Sequence, residues 1–499
     1  MTFPYLLTLI VFSPLLGILV LAFTPKTKES AIKLIGVLAT IPALILTLYL
    51  YIAFQLGAKL SDFAEKVSWM QFANPEVFNS VYSVNYELRA DGFSILMLVL
   101  TALLSTLAAI ASIHIKKEWK GYFILFLLLQ IGMFGVFAAG NLILFFIFFE
   151  ITLIPTFFLI GKWGYAEKEK AALSFLIYNG IGSAILLIVI MFLFAKIGTT
   201  NIEALMSILS NKAILSESTK MTLLIALIIA FGVKLPIFPL HSWMVRVHVE
   251  APPSIVMLHA GILLKIGAYG LIKFGIGFFP EQFQSLATWI AILGVINLLY
   301  GAFLALIQTD FKKVLAYSSI SHMGIVLIGL GAINSAGVQG AIFQVVSHGL
   351  LAALLFWLVS IFYQRYETTK LAELGGMARA MPVTAGFLLV GALGSLGLPG
   401  MSGFIAEFMS FLGLFKSMPI LAAVGCLGII LTAVYLLRAV LSITFGEGKT
   451  TNKVKDMETI EKIPAVILVC LIVAIGVYPD LIASGLTNTI ETIVIGLGG

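Results

Sequence analysis

Charge is the scarcest commodity in this chain. Only 11% of its 499 residues are Asp, Glu, Lys or Arg, about half the share of a water-soluble domain. Cysteine is nearly absent: Cys426 and Cys470 stand alone inside apolar runs. That excludes a disulfide framework, the Cys-rich spacing of iron–sulfur clusters and a zinc pattern. No Gly-rich fingerprint follows a strand, no Walker motif appears and no metal-ligand cluster is visible. The chain has no evident means of binding a nucleotide or moving an electron.

Long apolar runs take the place of charge. Hydrophobic residues make up 60% of the chain and the mean hydropathy is +1.09. Repeated runs of about 20 apolar residues specify an all-α integral membrane protein, because only helices satisfy every backbone polar group within one segment in lipid. Runs near 4–23, 31–55, 91–113, 121–138, 141–161, 171–195, 221–243, 251–273, 285–308, 313–331, 337–362, 384–414, 419–443 and 461–482 predict about fourteen transmembrane helices in one polytopic domain, 1–499. The first run, PYLLTLIVFSPLLGILVLAF, has no basic residues before it and exceeds a signal-peptide core, so a retained helix is expected. The connection 56–90 mixes charges with aromatics and reads as a folded loop outside the membrane.

The net charge of +6 does not point to nucleic acid, because the basic residues are scattered over short loops. They act as topology determinants. Lys and Arg concentrate in alternate connections, among them Lys116, Lys117 and Lys120, then Lys162, Lys168 and Lys170, and later Arg438, Lys449, Lys453 and Lys455. The opposite connections are poorer, with Lys59, Lys66, Arg89, Lys212 and Lys273. The bias places both termini outside a bacterial plasma membrane.

Two helices are interrupted. The seventh carries FGVKLPIFPLHSW, residues 231–243, and the twelfth carries GSLGLPGMSGF, residues 394–404. Proline removes a backbone hydrogen bond and clashes with the preceding turn; in lipid such a break survives only inside protein or beside a hydrated cavity. Five spans separate the breaks, so equivalent units would lie in opposite orientation. That predicts two inverted five-helix repeats, 121–273 and 285–443, flanked by helices 1–3 within 1–113 and helix 14 at 461–482.

Ionisable residues stranded within these runs are the candidate machinery. Glu150, Lys234, Lys265 and Glu407 sit within spans, with His259, His322 and His348 in the eighth, tenth and eleventh and His248 at the seventh-to-eighth connection. Each Lys or acid at mid-membrane costs about 2.5–3.5 kcal/mol, so the four cost on the order of 10 kcal/mol. A structural reading keeps them as helix ties: a Lys–Glu pair, or histidines donating to neighbouring carbonyls. The functional reading is a proton path. Burial and an adjacent carboxylate pull a lysine between charged and neutral forms, so Lys234 beside Glu150 would switch as that contact closes or opens. Lys265 would be the central carrier, Glu407 the acid toward the other side, and the histidines intervening steps. Ser318, Ser319 and Ser321 supply hydroxyls near His322; Tyr178 and Asn179 read as packing or helix–helix hydrogen bonding.

The motifs FFEITLIPTFFLIGKWG, GVKLPIFPLHSW, HVEAPPSIVMLHAGILLKIGAYG, TDFKKVLAYSSISHMG, VVSHGLLAALLFW and LGSLGLPGMSGFIAEF resemble those of the antiporter-like membrane subunits of respiratory complex I, over nearly the whole chain. Glu407, where L-type, N-type and sodium/proton antiporter subunits carry lysine, resembles the M-type (chain 4) branch. The resemblance implies proton-channel roles for Glu150, Lys234, Lys265 and Glu407, with His322 and His348 in the relay. It also implies L-like, N-like and small membrane subunits as partners, and quinone, FMN and iron–sulfur clusters held by partner subunits, with none in this chain. Proton movement would be coupled to NADH:quinone oxidoreduction there. A multisubunit sodium/proton antiporter or a hydrogenase-type membrane arm is the alternative assembly. One departure stands out: Met244-Val-Arg-Val247 replaces the Leu-Pro-Asp-Ala of many relatives, so no aspartate role carries over, and the inward entrance falls near His248 and Glu250.

Overall fold

The computed structural model describes residues 5–72, 82–211, 214–446 and 454–497; Lys212, Lys449 and Lys453 of the charge asymmetry lie outside them. Among the described residues, twelve helices are long and apolar enough to cross a membrane: Leu6–Phe23, Glu29–Gln55, Gly92–His114, Trp119–Ala138, Leu142–Trp163, Lys168–Ile197, Pro253–Ile276, Ala287–Ile307, Phe311–Gly331, Ser335–Tyr366, Pro419–Thr444 and Thr459–Val477. The remaining expected crossings fall on the two interrupted elements, whose pieces are too short or too charged to qualify separately. One is Glu217–Lys234 followed by Ser242–Glu250; the other is Pro382–Ser395 followed by Ser402–Ser417.

The bundle is inside-out relative to a soluble protein. Outer helices present Ile177, Ile181 and Ile188, or Ile420, Leu427 and Ile430, to the surroundings, as a lipid-facing surface requires. The inner helices Pro253–Ile276 and Ser335–Tyr366 are enclosed along their apolar windows, 100% buried in each. Small residues let these helices meet: a Cβ on Gly349 would lie 2.9 Å from the Gly261 carbonyl oxygen, so the two backbones approach as small-residue membrane interfaces do.

The 56–90 connection contains an antiparallel hairpin of β1 (Glu65–Phe72) and β2 (Tyr82–Leu88). Glu65 anchors it by accepting from the Leu7 backbone N–H at 2.7 Å. Two boundaries differ from the sequence expectation. The seventh span does not end at Trp243: after the break, helix resumes through Glu250. The fourteenth ends at Val477, and Asp480–Gly496 forms a separate helix. Its buried Ile482, Leu486, Ile490 and Val494 recur at helical spacing, a one-sided face that holds it against the bundle.

Candidate functional site

Both breaks are closed by specific side chains. At the first, the carbonyl of Val233 accepts from Trp243 Nε1 at 3.1 Å. Asn297, fully buried on Ala287–Ile307, accepts from the Phe238 N–H at 2.7 Å and donates from Nδ2 to Pro236 O at 3.4 Å and Ile320 O at 2.9 Å. One amide thus ties the first break to the helix that carries His322. Tyr178 joins the same region through Ser242 Oγ at 2.9 Å, whereas Asn179 bonds within its own helix to Phe175 O. At the second break Gly397 adopts φ +78°, a conformation that favours glycine. A Cβ there would overlap Glu407 Oε2. The turn is therefore moulded around the carboxylate.

Lys265 lies between two π-helical stretches, His259–Leu263 and Leu271–Ile276. Such segments shift the backbone ladder and recur at functional sites. Here Leu264 N–H donates to His259 O at 3.1 Å, and the carbonyl of Ala260 takes the Lys265 ammonium at 2.7 Å. The same ammonium donates to His348 Nδ1 at 2.7 Å. The His348 and His322 rings are 5.4 Å apart, and His322 Nδ1 stands 3.7 Å from Glu407 Oε1. Lys265, His348, His322 and Glu407 form one continuous buried run across four helices.

His322 does not use the serines beside it in sequence. Ser319 and Ser321 donate to the Leu315 and Leu298 carbonyls, and Ser318 accepts from the Tyr435 hydroxyl, since mid-helix hydroxyls readily bond to nearby carbonyls. Its partners come from elsewhere: Gln344 Nε2 lies 3.1 Å from its Nδ1, and Ser395 Oγ lies 3.2 Å from its Nε2. Gln344 and Ser395 carry no sequence signal of this role, because neither is ionisable nor near His322 in the chain.

The other half is organised differently. His248 Nε2 and His259 Nδ1 are 3.0 Å apart, a bonded pair. Lys234 is buried, its ammonium makes no hydrogen bond, and it sits 4.7 Å over the Phe149 ring and 5.7 Å from Phe175. Glu150 Oε1, next along from Phe149, is likewise buried without a hydrogen bond. No ion pair joins Glu150 to Lys234 among the described residues. Phe175 also meets the His259 ring at 6.0 Å, so one ring touches both Lys234 and a member of the His248–His259 pair.

A buried Lys–His–His–Glu run holds groups that can pass protons, and known proteins share the fold that carries it. The NADH:quinone oxidoreductase/Mrp antiporter transmembrane family model matches residues 139–432. NADH-quinone oxidoreductase subunit M of Rickettsia conorii is 35% identical over 498 residues, 98% of this chain and 99% of the relative. This chain belongs to the subunit M family. A chain of respiratory complex I from Thermus thermophilus superposes with a TM-score of 0.86 at 29% identity, covering 99% of this chain and 100% of that one. A chain of an archaeal membrane-bound sulfane sulfur reductase gives 0.85 at 27% identity, covering 96% and 77%. The subunit M family thus fits the all-helical membrane fold expected from the residues.

Proposed function

We propose that this chain is the M-type proton-translocating subunit of a respiratory NADH:quinone oxidoreductase. The carrying observation is the continuous run Lys265–His348–His322–Glu407 on helices shielded from lipid. The Lys265 ammonium gives its proton to His348 Nδ1. His348 passes one to His322, which releases one toward Glu407. His248 and His259 feed Lys265 from the end where Glu250 accepts from the Tyr165 and Glu167 N–H groups. Lys234 and Glu150, apart in this arrangement, set the charge next to that feed. If they close on each other, the Lys234 ammonium is held and proton release toward His259 stops.

Moving one charge against 100 mV costs about 2.3 kcal/mol, so the drive comes from quinone reduction in partner subunits, which hold the FMN, the iron–sulfur clusters and the quinone. The partners are L-like and N-like antiporter subunits and small membrane subunits. The lysine-rich connections face the cytoplasm and both termini lie outside. The interrupted helices are equivalent elements of inverted repeats 121–273 and 285–443. The test is Glu150→Ala and Lys234→Ala in the assembled complex: quinone reduction persists while protons pumped per electron fall. Full stoichiometry in both variants refutes their roles.

The similarity to the sulfane sulfur reductase chain favours a second reading, in which the same relay serves another membrane arm. Purification of the native complex decides: quinone-reducing NADH-oxidising partners support the first reading, antiporter or hydrogenase-type partners the second.

A further inference from the structure

At the hairpin end of the bundle, a cavity of about 400 Å³ opens between the start of Gly92–His114, the end of Pro253–Ile276 and the helix Asp480–Gly496. Its walls are largely apolar, with Thr492 contributed by the last helix. Its floor is not: Asp91, Ser94, Tyr269 and Lys273 converge there. Asp91 and Lys273 are ion-paired, with about a fifth to a quarter of each side chain open to the cavity. Beneath them Ser94 and Tyr269 are buried.

These four side chains are bonded in series. Asp91 accepts from Ser94, both from its N–H at 2.9 Å and from its side chain. Ser94 Oγ lies 2.8 Å from Tyr269 OH, and Lys273 sits 5.8 Å over the Tyr269 ring. A helix cap requires one carboxylate and neither a lysine nor a buried hydroxyl pair. Tyr269 is four residues beyond Lys265, one turn along the same helical stretch Lys265–Gly270, where side chains four apart are neighbours. Arg89 and Glu203, themselves paired at 2.5 Å, stand at the cavity's rim.

We propose that this cavity is a second proton outlet, independent of Glu407, through which Lys265 discharges toward the hairpin end. Lys265 occupies two positions: one on His348, seen here, and one turned a helical turn toward Tyr269. In the second, Tyr269 OH takes the Lys265 proton while releasing its own to Ser94 Oγ. Ser94 releases its own to the Asp91 carboxylate, and Asp91 gives that proton to water in the cavity. The hydroxyls then rotate back. No electron moves; Tyr269, Ser94 and Asp91 end with the proton counts they began with, and Lys265 is left neutral, one proton short, until the His248–His259 feed protonates it again. Lys273 holds Asp91 ionised between transfers and returns it to that state.

The inference rests on the relay proposed above, and the test separates the two. The assembled complex is reconstituted in vesicles carrying Lys265→Ala, Glu407→Gln, or Glu407→Gln with Tyr269→Phe, and protons per electron are measured. Tyr269→Phe keeps the ring and its packing. Removing a positioned proton-transfer group slows its route by roughly 10²-fold or more. The expectation is that Glu407→Gln retains part of the pumping and that adding Tyr269→Phe removes it. If Glu407→Gln alone abolishes pumping, or the added Tyr269→Phe changes nothing, the outlet is refuted while the relay stands. If Lys265→Ala pumps at full ratio, the relay itself falls. A second measurement does not depend on those variants. With Cys426 and Cys470 replaced by Ser, Thr492→Cys is treated from the hairpin side with a cationic, membrane-impermeant thiol reagent. Labelling that lowers pumping in the Glu407→Gln background supports the outlet; absence of labelling, or labelling without effect, contradicts it.

Discussion

His322 has more partners than nitrogens. Its Nδ1 faces Gln344 Nε2 at 3.1 Å and Glu407 Oε1 at 3.7 Å. A neutral ring accepts from the amide at that atom; a protonated ring has a hydrogen there to give to the carboxylate. On the proposed relay, Gln344 would hold the uncharged form and Glu407 would receive from the charged one. Gln344→Leu leaves a buried acceptor unsatisfied, at a cost of about 1–3 kcal/mol, and biases the ring toward Glu407. The expected outcome is slower pumping with quinone reduction intact, read as protons per electron in vesicles. At Gly397, an L-residue in the left-handed region costs roughly 1–2 kcal/mol, and its Cβ displaces the Glu407 carboxylate. Gly397→Ala should assemble with unchanged helix content and yet lose much of its pumping. At this scale the sequence made the charged members visible, since a lysine or glutamate in an apolar run stands out by its cost. Gln344, Ser395 and Asn297 stayed hidden because uncharged polar residues are common in membrane helices, and only packing shows which of them face the relay.

Among the elements, the two breaks bear Lys234 and Glu407, while Lys265, His348 and His322 sit on spans that run through. Prolines and glycines disclosed both interruptions, yet not what closes them. Asn297 is the central closure of the first. Asn297→Ala strands the Phe238 N–H and the Pro236 and Ile320 carbonyls, each costing about 1–3 kcal/mol if left unpaired. The expected result is a lower melting temperature of the complex, and Asn297→Asp, which sets a buried carboxylate oxygen against the Pro236 and Ile320 carbonyls, is expected to lose at least as much. At the second element, Asp456 receives the Val383 and Thr384 N–H groups at the start of Pro382–Ser395, at 2.7 and 3.2 Å, and the Thr384 hydroxyl at 2.5 Å. Burial pulls its carboxyl upward, but the bonds from Thr384, Met457 and Val383 hold it below the usual carboxylate range. A depressed value means that its stabilisation is present above the unfolded carboxylate pKa and fades as pH falls through the folded one. Asp456→Asn should flatten the acid limb of a melting-temperature profile and leave the neutral region lowered by about 1 kcal/mol of helix-end interaction. The segments misread from sequence have a shared cause. Ser242–Glu250 is too polar for a hydropathy scan and Asp480–Gly496 too amphipathic, so each is helical by packing and periodicity more than by apolar length.

For the whole molecule, what matters is which side chains the bundle seals from lipid. The enclosed Pro253–Ile276 and Ser335–Tyr366 carry Lys265 and His348, while the half-open outer helices carry no relay group except Glu150 on Leu142–Trp163. The half from Lys265 to Glu407 is continuously bonded or in near contact, whereas in the other half Glu150 Oε1 and the Lys234 ammonium make no hydrogen bond among the described residues and Lys234 packs on the Phe149 and Phe175 rings. On the proposed relay, that asymmetry would put the controlled step at Lys234. The most direct measurement is the proton-to-electron ratio of the assembled complex carrying His348→Leu, which interrupts the run at its tightest contact and puts no new charge in the core. The account predicts a ratio below that of the unmodified complex at comparable quinone reduction. An unchanged ratio in a fully assembled complex would contradict it.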